Sequence, residues 1–135
     1  MFQAILSILG RLFLVAIFMM SAVGNKIPQF NQVAGVMADK GVPYPQIALG
    51  GAIAFLLIGG LLVLLGYHAR FGAGLLMIFL ALATYYFHNP SLETDPQAQQ
   101  NQIIQCLKNL SIAGGMLFIM ANGSGAGSMK KRRSA

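Results

Sequence analysis

The stretch that decides the fold is residues 47–87, IALGGAIAFLLIGGLLVLLGYHARFGAGLLMIFLALATYYF. Two apolar runs, Ile47–Gly66 and Phe71–Phe87, flank a four-residue polar break, Tyr67–Arg70. Each run approaches the roughly 20 residues that carry a helix across a hydrocarbon layer about 30 Å thick. A backbone in lipid must satisfy its own hydrogen bonds, so each run is expected to be helical. So short a break makes the two helices antiparallel neighbours. Two further runs of similar length, Ala4–Gly24 and Ile103–Ala121, complete a set of four.

Composition agrees. Of 135 residues, 56% are hydrophobic and only 9% are charged, against a usual charged share of about 25%. Twelve charged side chains cannot cover a soluble globule of this length. The surplus of nine Lys and Arg over three acids suggests nucleic acid until the cations are placed. Lys130, Lys131, Arg132 and Arg133 stand together in the tail. Such a run beside an apolar helix reads as a cytoplasmic anchor facing anionic lipid, so no nucleic-acid partner is expected. The single Cys106 excludes an internal disulfide, and no metal-ligand spacing is present. The first run lacks a basic leader and carries Arg11, which argues against a cleaved signal peptide.

The expected class is therefore all-α: a polytopic membrane protein built as a four-transmembrane-helix bundle. Residues 1–122 form that domain, and 123–135 form a flexible Gly/Ser linker and basic tail. Between the first two spans, Ile27, Phe30, Val33, Ala34 and Met37 recur at helical spacing. This predicts a short interfacial amphipathic helix, closed by Gly41 and Pro43. The connection from His88 to Gln102, with Pro90 and Pro96, is read as a loop. Nine glycines, among them Gly50, Gly51, Gly59, Gly60, Gly72 and Gly74, predict close helix crossings. Arg70 and the tail cations share one side of the bundle, whereas Lys26, Lys40 and all three acids lie on the other. Positive-inside bias then puts both termini in the cytoplasm.

The informative residues are those whose placement costs energy. An Arg at mid-helix costs about 2.5–3.5 kcal/mol on insertion scales, and Arg11 lies well inside the first run. Two readings stay open there: snorkelling to the head groups, or a polar face of the first helix made with Ser7 and Asn25 that turns inward. Lys108 and Asn109 lie in the outer half of the fourth run. Asn25 and Lys26 end the first run, and His88 ends the third, on that same outer side. No Asp or Glu lies within any of the four runs. Buried charges normally pair, so Arg11 and Lys108 are expected to turn to backbone carbonyls, water, lipid phosphate, or an anionic or carbonyl-bearing ligand. A quinone head group fits that description, and so does a small sulfur oxyanion. Tyr85 and Tyr86 suit a quinone ring edge, but an interfacial aromatic belt is the favoured reading of the pair.

Several segments in order resemble the DoxX family. They are Gly10-Arg11-Leu12, Asn25-Lys26-Ile27, Phe30 with Met37-Ala38-Asp39-Lys40-Gly41-Val42-Pro43, Gly59 through Gly66 with Arg70 and Gly72-Ala73, His88, and Lys108-Asn109-Leu110. The resemblance implies a multi-pass protein of the bacterial inner membrane, associated with thiosulfate:quinone oxidation or with soluble redox and thiol-handling partners. Its candidate ligand-binding positions here are Arg11, Asn25, Lys26, His88, Lys108 and Asn109, with quinone as the candidate cofactor and no metal. No acid or cysteine motif secures catalysis. The functional expectation is a redox-associated membrane subunit with an intramembrane polar pocket. The rival expectations are a scaffold that recruits a soluble redox partner, or a small-solute carrier, which with four spans would need to form a homo-oligomer.

Overall fold

Helix ends in this chain are set by a few residues whose backbone chemistry leaves little choice. Pro45 and Pro96 each open a helix, where a missing N–H costs nothing. The Asp95 carboxylate accepts from the Ala98 N–H at 3.3 Å and caps the last helix. Gly41 (φ 86°) and Gly66 (φ 73°) occupy the left-handed region just past two helix ends. At the second, Gly66 N–H donates to Val63 O and Tyr67 N–H to Leu62 O, both at 3.1 Å.

The computed structural model describes residues 1–87 and 94–125. Its elements are α1 (Phe2–Ser21), a π-helical turn (Ala22–Lys26), α2 (Phe30–Asp39), α3 (Pro45–Leu65), α4 (Ala69–Phe87) and α5 (Pro96–Asn122). Apart from the short α2, these helices are long and apolar enough to cross a membrane. The all-helical four-span bundle expected from the sequence is the architecture observed. Two boundaries and one packing face differ from the expectation. The first span widens into a π turn, closed by Ile27 N–H on Ala22 O at 3.0 Å. That turn ends just short of Pro28, which has no N–H to continue the ladder. The segment 96–102, read as loop, is helix, because Asp95 and Pro96 start α5 early and Gln and Ala propagate it. At 27 residues α5 spans about 40 Å, so its polar first turns extend beyond the hydrocarbon. Third, α2 turns its apolar stripe onto protein: Ala34 and Met37 are buried with Leu49 of α3, and Phe87 of α4 packs beside them.

The helices are arranged with α3 against both α1 and α4, and α5 against α4. The main core joins Val15 and Phe18 of α1, Leu56 and Val63 of α3, Leu76 of α4 and Met116 of α5. Outward-facing Phe13, Phe71, Leu110 and Phe118 are 63–73% exposed, an apolar coat for which lipid is the solvent.

Glycine divides by position. A Cβ on Gly59 would lie 2.9 Å from Gly72 O, and one on Gly72 would lie 2.8 Å from Gly59 O. The α3–α4 crossing is therefore backbone on backbone. Gly60 receives Met19 and Gly115 receives Leu14. Gly50, Gly51, Gly74 and Gly114 meet nothing within 4 Å, so the expectation that all these glycines serve crossings is corrected: these four face open space. Gly72→Ala is thus expected to destabilise the detergent-solubilised protein by about 1–3 kcal/mol through overpacking. Gly50→Ala should leave its thermal midpoint unchanged or slightly higher. Equal midpoints for the two variants would refute the crossing geometry.

Candidate functional site

At the far side of the bundle, away from the start of α1 and the end of α5, the helices border an open-sided cavity of about 700 Å³. This falls within the range of small-molecule sites. Every described helix contributes. The lower wall is apolar, with Phe55 of α3 and Phe79 and Leu80 of α4; the polar lining is Ser21, Asn25, Lys26, Gln29, Gln32, Lys108 and Asn109.

Lys26 reaches this cavity from the π turn. Its Nζ donates to Ser21 Oγ and stands 5.4 Å from the centroid of the Phe79 ring, within cation–π range. Phe79 is in turn held edge-on by Phe18, with centroids 6.3 Å apart. The ammonium is thus oriented by a hydroxyl and a ring. A widened turn is a common device at functional positions because it re-aims the side chains beyond it.

Asn109 reaches it from α5, and its orientation is fixed by proton counting. Thr84 Oγ1 donates its one proton to Leu80 O at 2.7 Å. It can then only accept, so the group facing it at 2.9 Å is the Asn109 NH₂. The Asn109 carbonyl oxygen remains as the acceptor that this buried residue can offer. Lys108, its neighbour, is exposed at the cavity edge, as is Asn25. Tyr86 also lines the cavity, while Tyr85 is 69% exposed and meets Tyr86 edge-on.

Arg11 lies elsewhere. It is 4% exposed and turned inward, at the terminal side of the bundle. Its Nη1 donates to Leu64 O at 3.1 Å and Val63 O at 3.4 Å, and its Nε to Ser7 O at 3.4 Å. Leu62 and Val63 carbonyls are already used by the turn at Gly66. Arg11 thus supplies a donor to the next carbonyl of the α3 C-terminus, where the helix dipole also favours a cation. Nearby, Ser7 Oγ donates to Ser124 O at 3.2 Å and Arg70 Nη2 to Ala121 O at 3.5 Å. The first bond fastens the segment after α5, and the second the last turn of α5.

Of the six positions singled out in the sequence, Asn25, Lys26, Lys108 and Asn109 share the far-side cavity; Arg11 does not line it, and His88 lies outside the described residues. Sequence reasoning missed Ser21, Gln29, Gln32 and Phe79. The spacing of Gln29, Gln32 and Val36 puts them along one flank of α2, a signal available in the sequence. Nothing in it pointed to Phe79. Among the described residues, no group of three or more His, Cys, Asp or Glu side chains is arranged to hold a metal.

Four apolar spans with a polar-lined cavity at one side define a multi-pass membrane protein. Residues 6–89 match the DoxX family model, and the chain belongs to the DoxX family. It is 29% identical over 130 residues, 96% of this chain and 91% of the other, to the inner membrane protein YphA of Escherichia coli (strain K12). No solved structure matches it.

Thr84→Val keeps the shape of the α4 side chain but removes the acceptor that Asn109 uses. It is expected to cost about 1–3 kcal/mol of stability, read as a lowered thermal midpoint in detergent. The double variant Thr84→Val/Asn109→Leu should recover part of the loss. A loss that is unchanged or deeper in the double variant would show that the hydrogen bond is not what ties α5 to α4.

Proposed function

We propose that this chain is a redox-associated subunit of the inner membrane, with both termini cytoplasmic. Its far-side cavity binds a ligand whose oxygens carry or gain negative charge. A quinone head group and a small sulfur oxyanion both meet that description. The observation that carries the reading is the polar lining itself. Among the described residues it consists of two ammonium groups, Lys26 and Lys108, four amides and the hydroxyls of Ser21 and Tyr86, with no carboxylate. An ammonium held by Phe79 and Ser21 in a low-dielectric wall interacts more strongly with an anionic oxygen than it would in water.

In this reading Lys26 is the oriented cation and Lys108 the one at the edge. Asn109 supplies an acceptor beside them, suited to the hydroxyl of a reduced ring. A quinone oxygen gains charge on reduction, so the lysines favour the reduced, charged head over the neutral one. Electrons would come from a soluble redox partner at the membrane surface. Arg11 has no part in ligand contact here; it serves the end of α3. Membership in the family and similarity to an inner membrane protein support the location, and the positive-inside bias of the sequence supports the orientation.

Binding of a short-chain benzoquinone and of thiosulfate to the purified protein tests this. Lys26→Met and Lys108→Met are each expected to weaken the ligand that binds by about tenfold or more, as charge-assisted hydrogen bonds are lost. Arg11→Gln is expected to lower the thermal midpoint while leaving affinity within about twofold. Failure of both ligands to bind, or affinities indifferent to both lysines, would overturn the assignment.

A further inference from the structure

The cavity has a second character besides its cations. Gly51 and Ala52 of α3 line it together with Leu82 and Ala83 of α4. Gly51 is exposed, and a Cβ built on it meets nothing within 4 Å. Leu82 is 55% exposed. The cavity is open-sided, and these exposed residues of α3 and α4 are where its wall is least covered. Gly51 lies six residues into α3 and Leu82 five residues from the end of α4. At about 1.5 Å per residue that is roughly 8 Å inside the far-side ends of the spans. At that depth the surrounding medium is acyl chain, not water. The cause is in the packing: α3 and α4 are locked backbone to backbone at Gly59 and Gly72, toward the terminal side. The small residues Gly51, Ala52 and Ala83 then leave the far-side halves unfilled between them.

Resting on the ligand class just assigned to the cavity, we propose that it opens sideways into the bilayer between α3 and α4, and that its ligand is a membrane-dissolved amphipath. A head bearing carbonyl or anionic oxygen sits at Lys26, Lys108 and Asn109, and an apolar chain leaves past Gly51 and Leu82. This chemistry favours a tailed quinone over a free oxyanion, since a free oxyanion has no use for an apolar exit within the hydrocarbon. The wall fits such a division. Its charged and amide groups gather on the π turn, the start of α2 and the outer half of α5, whereas α3 and α4, apart from Tyr86, present apolar groups.

The chain contains no Trp, so one introduced indole reports the cavity alone. Phe55→Trp, reconstituted in vesicles, is expected to be quenched strongly by phosphatidylcholine brominated in its acyl chains and weakly by aqueous iodide. Tyr86→Trp serves as a second reporter should the first fail to fold. Adding Gly51→Phe, which the open space at that position tolerates, should cut the bromolipid quenching by about half or more. It should also weaken a benzoquinone with a ten-carbon tail by about tenfold, while the tail-less ring is unchanged. Iodide quenching that exceeds bromolipid quenching, quenching by neither, or a Gly51→Phe variant without effect would overturn the lateral opening. Equal binding of tailed and tail-less rings would overturn the amphipath. If the opening is present and neither ring binds, the quinone assignment fails while the access route stands.

Discussion

The contact between Gly59 and Gly72 sets the geometry on which the rest of the bundle depends. Where two helices meet without Cβ atoms between them, dispersion along the backbones holds them in a medium that offers no hydrophobic drive for association. It also fixes where they are closest. The contact lies toward the terminal side, next to the Tyr67–Arg70 turn, so the hairpin is tight there. Its other half is free to border a space. That space is then walled by α1, α2 and α5, and the amphipathic α2 packs its stripe on Leu49 and Phe87.

The two sides of the bundle solve the same problem in opposite ways. At the terminal side, polar groups are consumed by backbone: Arg11 by the carbonyls closing α3, Arg70 by the end of α5, Ser7 by Ser124. A buried guanidinium is costly in hydrocarbon, but its flat fork of donors suits a helix end whose carbonyls point outward and carry partial negative charge. At the far side, polar groups face a cavity instead. Lys26 is tethered by Ser21 and Phe79, and Asn109 by Thr84, but each keeps chemistry to offer. This contrast separates a cation that completes the fold from cations that line a cavity. It rests on which carbonyls lie within reach.

Much of this was legible in the sequence. Four apolar runs of membrane length, a four-residue break, and a patterned segment between the first two spans sufficed for the architecture, because lipid allows so few backbone solutions. The gathering of Asn25, Lys26, Lys108 and Asn109 on the outer side was also readable, since each residue's depth is set by its distance along a span. The early start of α5 could have been read from Asp95-Pro96, but the prolines around it argued for a loop.

Composition and periodicity thus determined that this protein crosses the membrane four times and on which side its polar residues lie, because hydropathy and helical rise act along a single strand. Only the tertiary structure decided what those residues touch. Arg11 and Lys26 stand on the same span, one well inside it and one at its end. One meets the open end of α3 and the other a hollow beside Phe79, since crossing angles, the widened turn and the glycine contact are properties of helix pairs.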